Sequence, residues 1–171
     1  RKQSAIRKET AIRNQSPFHV NVFVGGSPAM NLAAVMPLPE NLSELLFAGA
    51  LGNRRTRMVV GASPLPIYAE ADFCITGQVD PDRMLPEGPF GDHLGHYSDA
   101  AQFPIFNIAT VTRRKNPIYP AALVGVPPQE DSFIGNAVQE ITGPLIRIIH
   151  PEVTDLWAYY ETGFVNLVVA S

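Results

Sequence analysis

The 171 residues carry 13 Lys and Arg against 16 Asp and Glu, a net charge of −3, and 46% of them are hydrophobic. Such a chain is too apolar and too weakly charged to stay disordered, is long enough for one domain with a core, and lacks the basic surplus of a general nucleic-acid binder. No apolar run reaches the roughly 18 residues of a membrane span, and the single cysteine, Cys74, excludes an internal disulfide framework and a cysteine-only metal site.

Five basic residues fall within the first thirteen positions (Arg1, Lys2, Arg7, Lys8, Arg13). They read either as a solvated terminus or as a local phosphate contact. No apolar segment of the signal-peptide kind follows them, so a reducing, cytoplasmic setting is expected. The chain starts without Met, as a piece of a longer protein does. Residues 1–16 are taken as an N-terminal linker or remnant and 17–171 as the domain. Sixteen prolines, above the usual share of about 5%, favour short elements joined by firm turns.

Along 18–24, Phe18, Val20, Val22 and Val24 alternate with His19, Asn21 and Phe23, which predicts a strand. Gly25-Gly26 ends it. Ser27-Pro28 then offers a capping side chain followed by proline at the first helical position, predicting a helix through about Val35 that stops before Pro37 and Pro39. Asn41 with Glu44 has capping-box spacing for a helix over 42–51 closed by Gly52. Arg55–Val60 and Ala71–Val79 read as strands. Residues 80–102 read as one long loop, expected to be ordered through Phe90, Leu94 and Tyr97.

Strand character returns at Ile105–Arg113 and is weaker at Ile118–Val124. Ser132 offers a cap for a helix with Ile134, Val138, Ile141, Leu145 and Ile148 on one face, and Pro144 is expected to kink it. Phe164–Val169 reads as a last strand. About six short strands and three helices without regular βαβ alternation predict a β-rich α+β domain or barrel and argue against a doubly wound sheet.

The phosphate-loop, dinucleotide, zinc-protease and nucleophile-elbow motifs are all absent. His93 and His96 form a close pair, but their loop supplies no further ligand spacing, so the pair is weak as a metal site. Cys74, inside an apolar strand, reads as an inert buried thiol. The most informative segment is Glu87-Gly88-Pro89-Phe90-Gly91-Asp92. Two carboxylates in a constrained turn are either ordinary solvated acids or a pair directed into one pocket, where like charge would raise one pKa and leave an acid able to donate a proton near neutral pH.

The segment Pro86–His93, taken with Met36-Pro37-Leu38-Pro39-Glu40-Asn41-Leu42-Ser43-Glu44, resembles the UbiD family of reversible decarboxylases. The likeness continues through Arg113–Tyr119, Gly125–Pro128, Ile134-Gly135 and Pro151–Asp155, so it covers about residues 17–169. It implies a split β-barrel of the FMN-binding, flavin reductase-like kind with flanking helices. It also implies prenylated FMN, a divalent ion (manganese or magnesium), potassium, and decarboxylation of an aromatic carboxylic acid, with 4-hydroxy-3-polyprenylbenzoate of quinone biosynthesis as the leading substrate.

By the same resemblance, Glu87 stands where a glutamate pairs with a catalytic arginine beside the flavin, and Asp92 stands where an acid donates the proton. Glu44 matches a metal-holding carboxylate. Met36 and Pro37 match the segment lining the flavin, and Ile134 matches a residue near the substrate. The family's Asn-x-Ser-x-x-Arg segment and a histidine metal ligand have no match here; the N-terminal region has Ser4 but no histidine. The chain is therefore expected to be the central domain of a longer, homo-oligomeric enzyme. N- and C-terminal domains would complete its site, and a flavin prenyltransferase would supply its cofactor. The chain alone is expected to be inactive. Two rival readings are a non-catalytic flavin-binding module and a structural or assembly domain that kept the barrel.

Overall fold

The computed structural model describes residues 18–39, 41–61, 63–163 and 167–171, with the side chain of Pro81 left out. The described residues up to Ala33, with Leu38–Glu87 and Ala101–Pro120, form one compact unit; Ala34–Pro37, Gly88–Ala100 and Ala121–Ser171 form the other.

The first unit is built on a three-stranded antiparallel sheet. Strand β1 (Phe18–Val24) pairs with β4 (Phe73–Glu87), and β4 pairs with β5 (Ala101–Arg113), in the order β1-β4-β5. β1 has the bounds its alternation predicts. β4 is longer than expected: it runs through 80–87, a stretch rich in proline and aspartate, with register shifts at Thr76/Gly77 and Asp80/Met84. β1 pairs with Phe73–Val79, and no other described strand pairs with that side of β4 beyond Val79, where a proline's missing N–H is tolerated. A short ribbon, β2 (Met58–Val59) with β3 (Ile67–Tyr68), belongs to the same unit.

Helix α1 (Pro28–Val35) begins as predicted, with the Ser27 hydroxyl accepting the Met30 N–H at 3.3 Å. Helix α2 (Glu44–Leu51) begins later than predicted. Its cap is Ser43, whose hydroxyl accepts from the Leu45 N–H at 3.2 Å. Asn41 has φ +73°, a turn conformation, so the Asn41–Glu44 box does not form. Gly52 closes α2 as expected. Tyr68 is buried and stacks edge-on against Phe23, with ring centres 6.2 Å apart. Its hydroxyl lies 3.3 Å from both the Ser27 hydroxyl and the Glu70 carboxylate, with one proton to donate between them, and Arg54 grips Glu70 through Nη1 and Nη2.

The second unit holds helix α3 (Asp131–Ile149) and an antiparallel ribbon of β6 (Leu156–Ala158) and β7 (Val168–Ala170). α3 starts at Asp131, with Ser132 donating to the Gln129 carbonyl instead of capping, and it passes through Pro144 as one element. Thr142 back-bonds to the Val138 carbonyl at 2.7 Å on the turn before that proline. The apolar face is rotated from the expected one, leaving Ile148 77% exposed. No strand forms over Ile118–Val124, and of the expected strand 164–169, positions 164–166 lie outside the described residues.

The β-rich α+β expectation thus stands as a mixed fold of helices and antiparallel sheets. No closed barrel is found among the described residues.

Candidate functional site

The turn singled out by the sequence is shorter than expected, 88–100, and ordered. Gly91 bridges Tyr97, the Asp92 N–H donates to the His96 carbonyl at 2.8 Å, and the Ser98 N–H donates to the Phe90 carbonyl at 2.9 Å. Asp92 braces this hairpin from inside: one carboxylate oxygen accepts the Leu94 and His96 N–H groups at 2.9 and 3.0 Å. Of the three expected anchors, Leu94 is half-buried, but Phe90 and Tyr97 are exposed.

The two backbone donors on Asp92, that of His96 foremost, hold its carboxyl below the ordinary carboxylate range. This is opposite to the raised pKa that like-charge pairing would produce, because amide donors favour the anion. In this conformation Asp92 is a turn brace carrying a negative charge. Glu87 is exposed at the end of β4, in register with Ala101. Glu87 belongs to the first unit and Asp92 to the second.

The next residue, His93, leads to the main feature of the second unit, an apolar cavity of about 590 Å³. That volume lies within the range of small-molecule sites, about 300–1,000 Å³. One face of α3 forms a wall through Ile134, Gly135, Val138, Gln139, Thr142 and Ile146. Pro37 and His93 also line it, so Pro37 and Ile134, picked separately from the sequence, meet at one cavity. Met36 is buried beside Pro37. Asp92 is not among the lining residues.

His93 is fixed by the Gly163 carbonyl, 3.2 Å from its Nε2. Gly163 has φ +72°, and a β-carbon there would strike Leu94 and crowd the His93 ring. The turn after β6 thus sets where His93 stands, and only glycine fits it without strain. The sequence marks His93 as a weak metal candidate and gives no sign of its place in the cavity. Gln139 escapes sequence reasoning as well. Its helical spacing from Gly135 and Thr142 is visible, but a face phased on the apolar residues alone passes over it.

In the first unit, Glu44 is the first residue of α2 and is exposed. Among the described residues no three His, Cys, Asp or Glu side chains cluster as a metal centre. Glu44 thus offers one exposed carboxylate and is not a metal site by itself. Cys74 is 3% exposed, and burial raises its pKa, in keeping with an inert thiol.

Asp72, which is 4% exposed, also escapes sequence reasoning. Its carboxylate accepts the Gly26 and Ile118 N–H groups at 2.8 and 3.1 Å and faces the Arg114 guanidinium at 3.4 Å. These donors, that of Ile118 foremost, lower its pKa. The contacts tie the Arg113–Tyr119 segment to the glycine pair after β1, and a β-carbon on Gly25 would collide with the same carboxylate.

The family model for the 3-octaprenyl-4-hydroxybenzoate carboxy-lyase Rift-related domain, UbiD, matches residues 1–127. The chain belongs to the UbiD family. A Chlamydia pneumoniae protein named as a 4-hydroxybenzoate decarboxylase component is 44% identical over 152 residues, which is 88% of this chain and 26% of that protein. The vanillic acid decarboxylase of Sedimentibacter hydroxybenzoicus, in its closed form, aligns with TM-score 0.81 and 26% identity over 92% of this chain and 34% of that one. An evolved dimeric form of the UbiD-class enzyme HmfF from Pelotomaculum thermopropionicum, in complex with prFMN, aligns with TM-score 0.78 and 25% identity over 95% of this chain and 38% of that one. The chain therefore spans between 26% and 38% of the length of these UbiD relatives. No helix among the described residues is long and apolar enough to cross a membrane.

Proposed function

We propose that this UbiD chain serves a prenylated-FMN-dependent, non-oxidative decarboxylase of an aromatic acid, and that the apolar cavity of the second unit receives the aromatic ring. The observation that carries the reading is the cavity itself: an apolar space of ring-accepting size in which Pro37, His93 and Ile134 converge. 4-Hydroxy-3-polyprenylbenzoate of quinone biosynthesis is the proposed substrate, and the cytoplasm the proposed setting. The proposed fold of the domain is an FMN-binding split barrel with flanking helices, and the proposed parent protein is a homo-oligomer.

In this reading Met36 and Pro37 border the flavin, Ile134 packs against the substrate ring, and Glu44 is one ligand of a manganese or magnesium ion. Potassium is the second ion of the site. When bound, the prenylated flavin supplies an electron sink for the pair released as carbon dioxide leaves. The residues of this chain position the acid, exclude water from the ring and return a proton. Glu87 pairs with an arginine from outside this chain.

Asp92 returns the proton. Its two amide donors oppose protonation, and exclusion of water by a bound acid works in the other direction, raising a carboxyl pKa. A flavin-binding module without catalysis is the second reading, favoured by the low pKa of Asp92 in the present conformation.

The test uses the intact protein co-expressed with a flavin prenyltransferase. Asp92→Asn should retain flavin and lose roughly 10²–10⁴-fold in decarboxylation rate, the usual share of a positioned acid. Glu44→Ala should lose metal and flavin together. Full activity in Asp92→Asn would make Asp92 an ordinary turn residue. Flavin binding with no turnover on any aromatic acid would favour the second reading.

A further inference from the structure

Helical residues three, four and seven apart share one face. The cavity wall on α3 follows that spacing from the first residue of the helix: Asp131, then Ile134 and Gly135, Val138 and Gln139, and Thr142. Asp131 therefore stands at one end of a mostly apolar stripe. The other polar side chains of the stripe are engaged or out of reach. The Thr142 hydroxyl donates to the Val138 carbonyl. The Gln139 side-chain oxygen accepts the Ala158 N–H, and its nitrogen is buried away from solvent. Asp131 differs from both: it is half-buried, and its carboxylate has no hydrogen-bond or ion-pair partner among the described residues.

No lysine or arginine is among the described residues that line the cavity. The other ionisable group there is His93, whose Nε2 faces the Gly163 carbonyl. A carbonyl only accepts, so Nε2 carries a hydrogen, and a neutral His93 has no second hydrogen to give. The donor that Asp131 lacks is thus not supplied by the lining, and a ligand can bring it.

We infer that Asp131 reads a hydroxyl on the ring of the bound aromatic acid: its carboxylate accepts the hydroxyl hydrogen and so selects phenolic acids over acids of the same outline without a ring donor. This rests on the cavity assignment made above and names the substrate class that the cavity favours. An apolar ring edge seated against Asp131 would strip water from the carboxylate and return no hydrogen bond, which is unfavourable. A hydroxyl at that edge restores the bond, and a site built for such a bond discriminates against the analogue lacking it. A carboxylate brought to the same place would set two anions together without a donor. The acid therefore enters with its own carboxylate directed away from Asp131 and the opposite edge of its ring toward it.

Binding to the intact protein is measured by calorimetry at pH 8, above the ordinary imidazole range. Three probes share one outline: 4-hydroxybenzoate, 4-methylbenzoate, which has no ring donor, and terephthalate, which has a second carboxylate instead. The unaltered protein should bind 4-hydroxybenzoate about tenfold or more tightly than 4-methylbenzoate, the range of a hydrogen bond to a charged group. Asp131→Ala should abolish that preference, and Asp131→Asn, which keeps a neutral acceptor, should retain about a few-fold of it. Terephthalate should bind the unaltered protein more weakly than 4-hydroxybenzoate and gain in both variants. Equal binding of 4-hydroxybenzoate and 4-methylbenzoate by the unaltered protein, or a preference that survives Asp131→Ala, would overturn the inference. So would an equal loss for all three probes, which would leave Asp131 only the role of an acid favouring the start of a helix. Each of these results leaves the cavity assignment intact. If none of the three bound the unaltered protein, the cavity assignment would fall first, and the role of Asp131 with it.

Discussion

In the first unit Asp72 is buried and draws its donors from Gly26 and Ile118, each 46 residues away. In the second, Asp92 is half-buried and draws its donors from Leu94 and His96, two and four residues on. Both carboxylates are held as anions by backbone amides, and both have lowered pKa values. What differs is the span of chain each one closes. Asp72 joins a glycine turn, a strand end and a distant loop, so its loss undoes contacts that no local interaction replaces. Asp92 shapes one hairpin and leaves the rest of the unit to α3 and the β6–β7 ribbon. The same chemistry therefore serves stability in one place and local shape in the other.

That difference sets the size of the expected effects. Asp72→Ala should be the most damaging to the fold: it removes a buried carboxylate and leaves the Gly26 and Ile118 amides without their acceptor and Arg114 without its partner. Calorimetry should show the melting midpoint lowered by about 5–10 °C, from the loss of hydrogen bonds to a charged acceptor and the usual slope for this chain length. A smaller change for Asp72→Ala than for Asp92→Ala would reverse the comparison. Gly163→Ala should come next. A side chain in the left-handed region costs about 1–2 kcal/mol, and here it also pushes the His93 ring. Aromatic-acid binding should therefore weaken together with stability, whereas binding that survived intact would separate His93 from the cavity's function. Ser43→Ala should cost about 1 kcal/mol by removing the α2 cap, and Asn41→Gly, which suits the left-handed backbone at that position, should not mimic it.

The pH dependence sharpens the contrast further. Each aspartate has a folded pKa below its unfolded value near 3.9. Each therefore contributes stability that is fully present above that value and is lost as pH falls through the lowered folded pKa. Acid melting curves should flatten below about pH 4 more in Asp72→Asn than in Asp92→Asn, since the buried group has more donors to lose. Equal flattening would mean that the two braces carry similar weight.

Much of this is legible in the chain itself, but unevenly. β1 and α1 follow from strict alternation and from Ser27-Pro28, signals that act within a few residues. The UbiD likeness rests on segments dense in glycine and proline, where backbone geometry demands particular residues. The misreadings share a cause. Asn41 resembles a cap because it lies three residues before Glu44, but its backbone is left-handed and Ser43 takes the role. Residues 80–87 resemble a loop because proline and aspartate disfavour strands, and pairing to β5 on one side overrides that preference. Asp72 and Gln139 give no local signal at all, since their partners lie 46 and 19 residues away. Ile134 can be chosen by family likeness, but only the fold shows that His93 and Pro37 share its cavity.

The central claim, that this cavity holds the aromatic ring, is tested most directly by filling it. Ile134→Trp places a large ring where Ile134 stands, 42% exposed at the cavity wall. The variant is compared with the unaltered intact protein by calorimetric titration with 4-hydroxybenzoate, alongside its melting midpoint. The account predicts that binding falls below detection while the melting midpoint stays within a few degrees. Undiminished binding in a well-folded Ile134→Trp protein would place the aromatic acid elsewhere and contradict it.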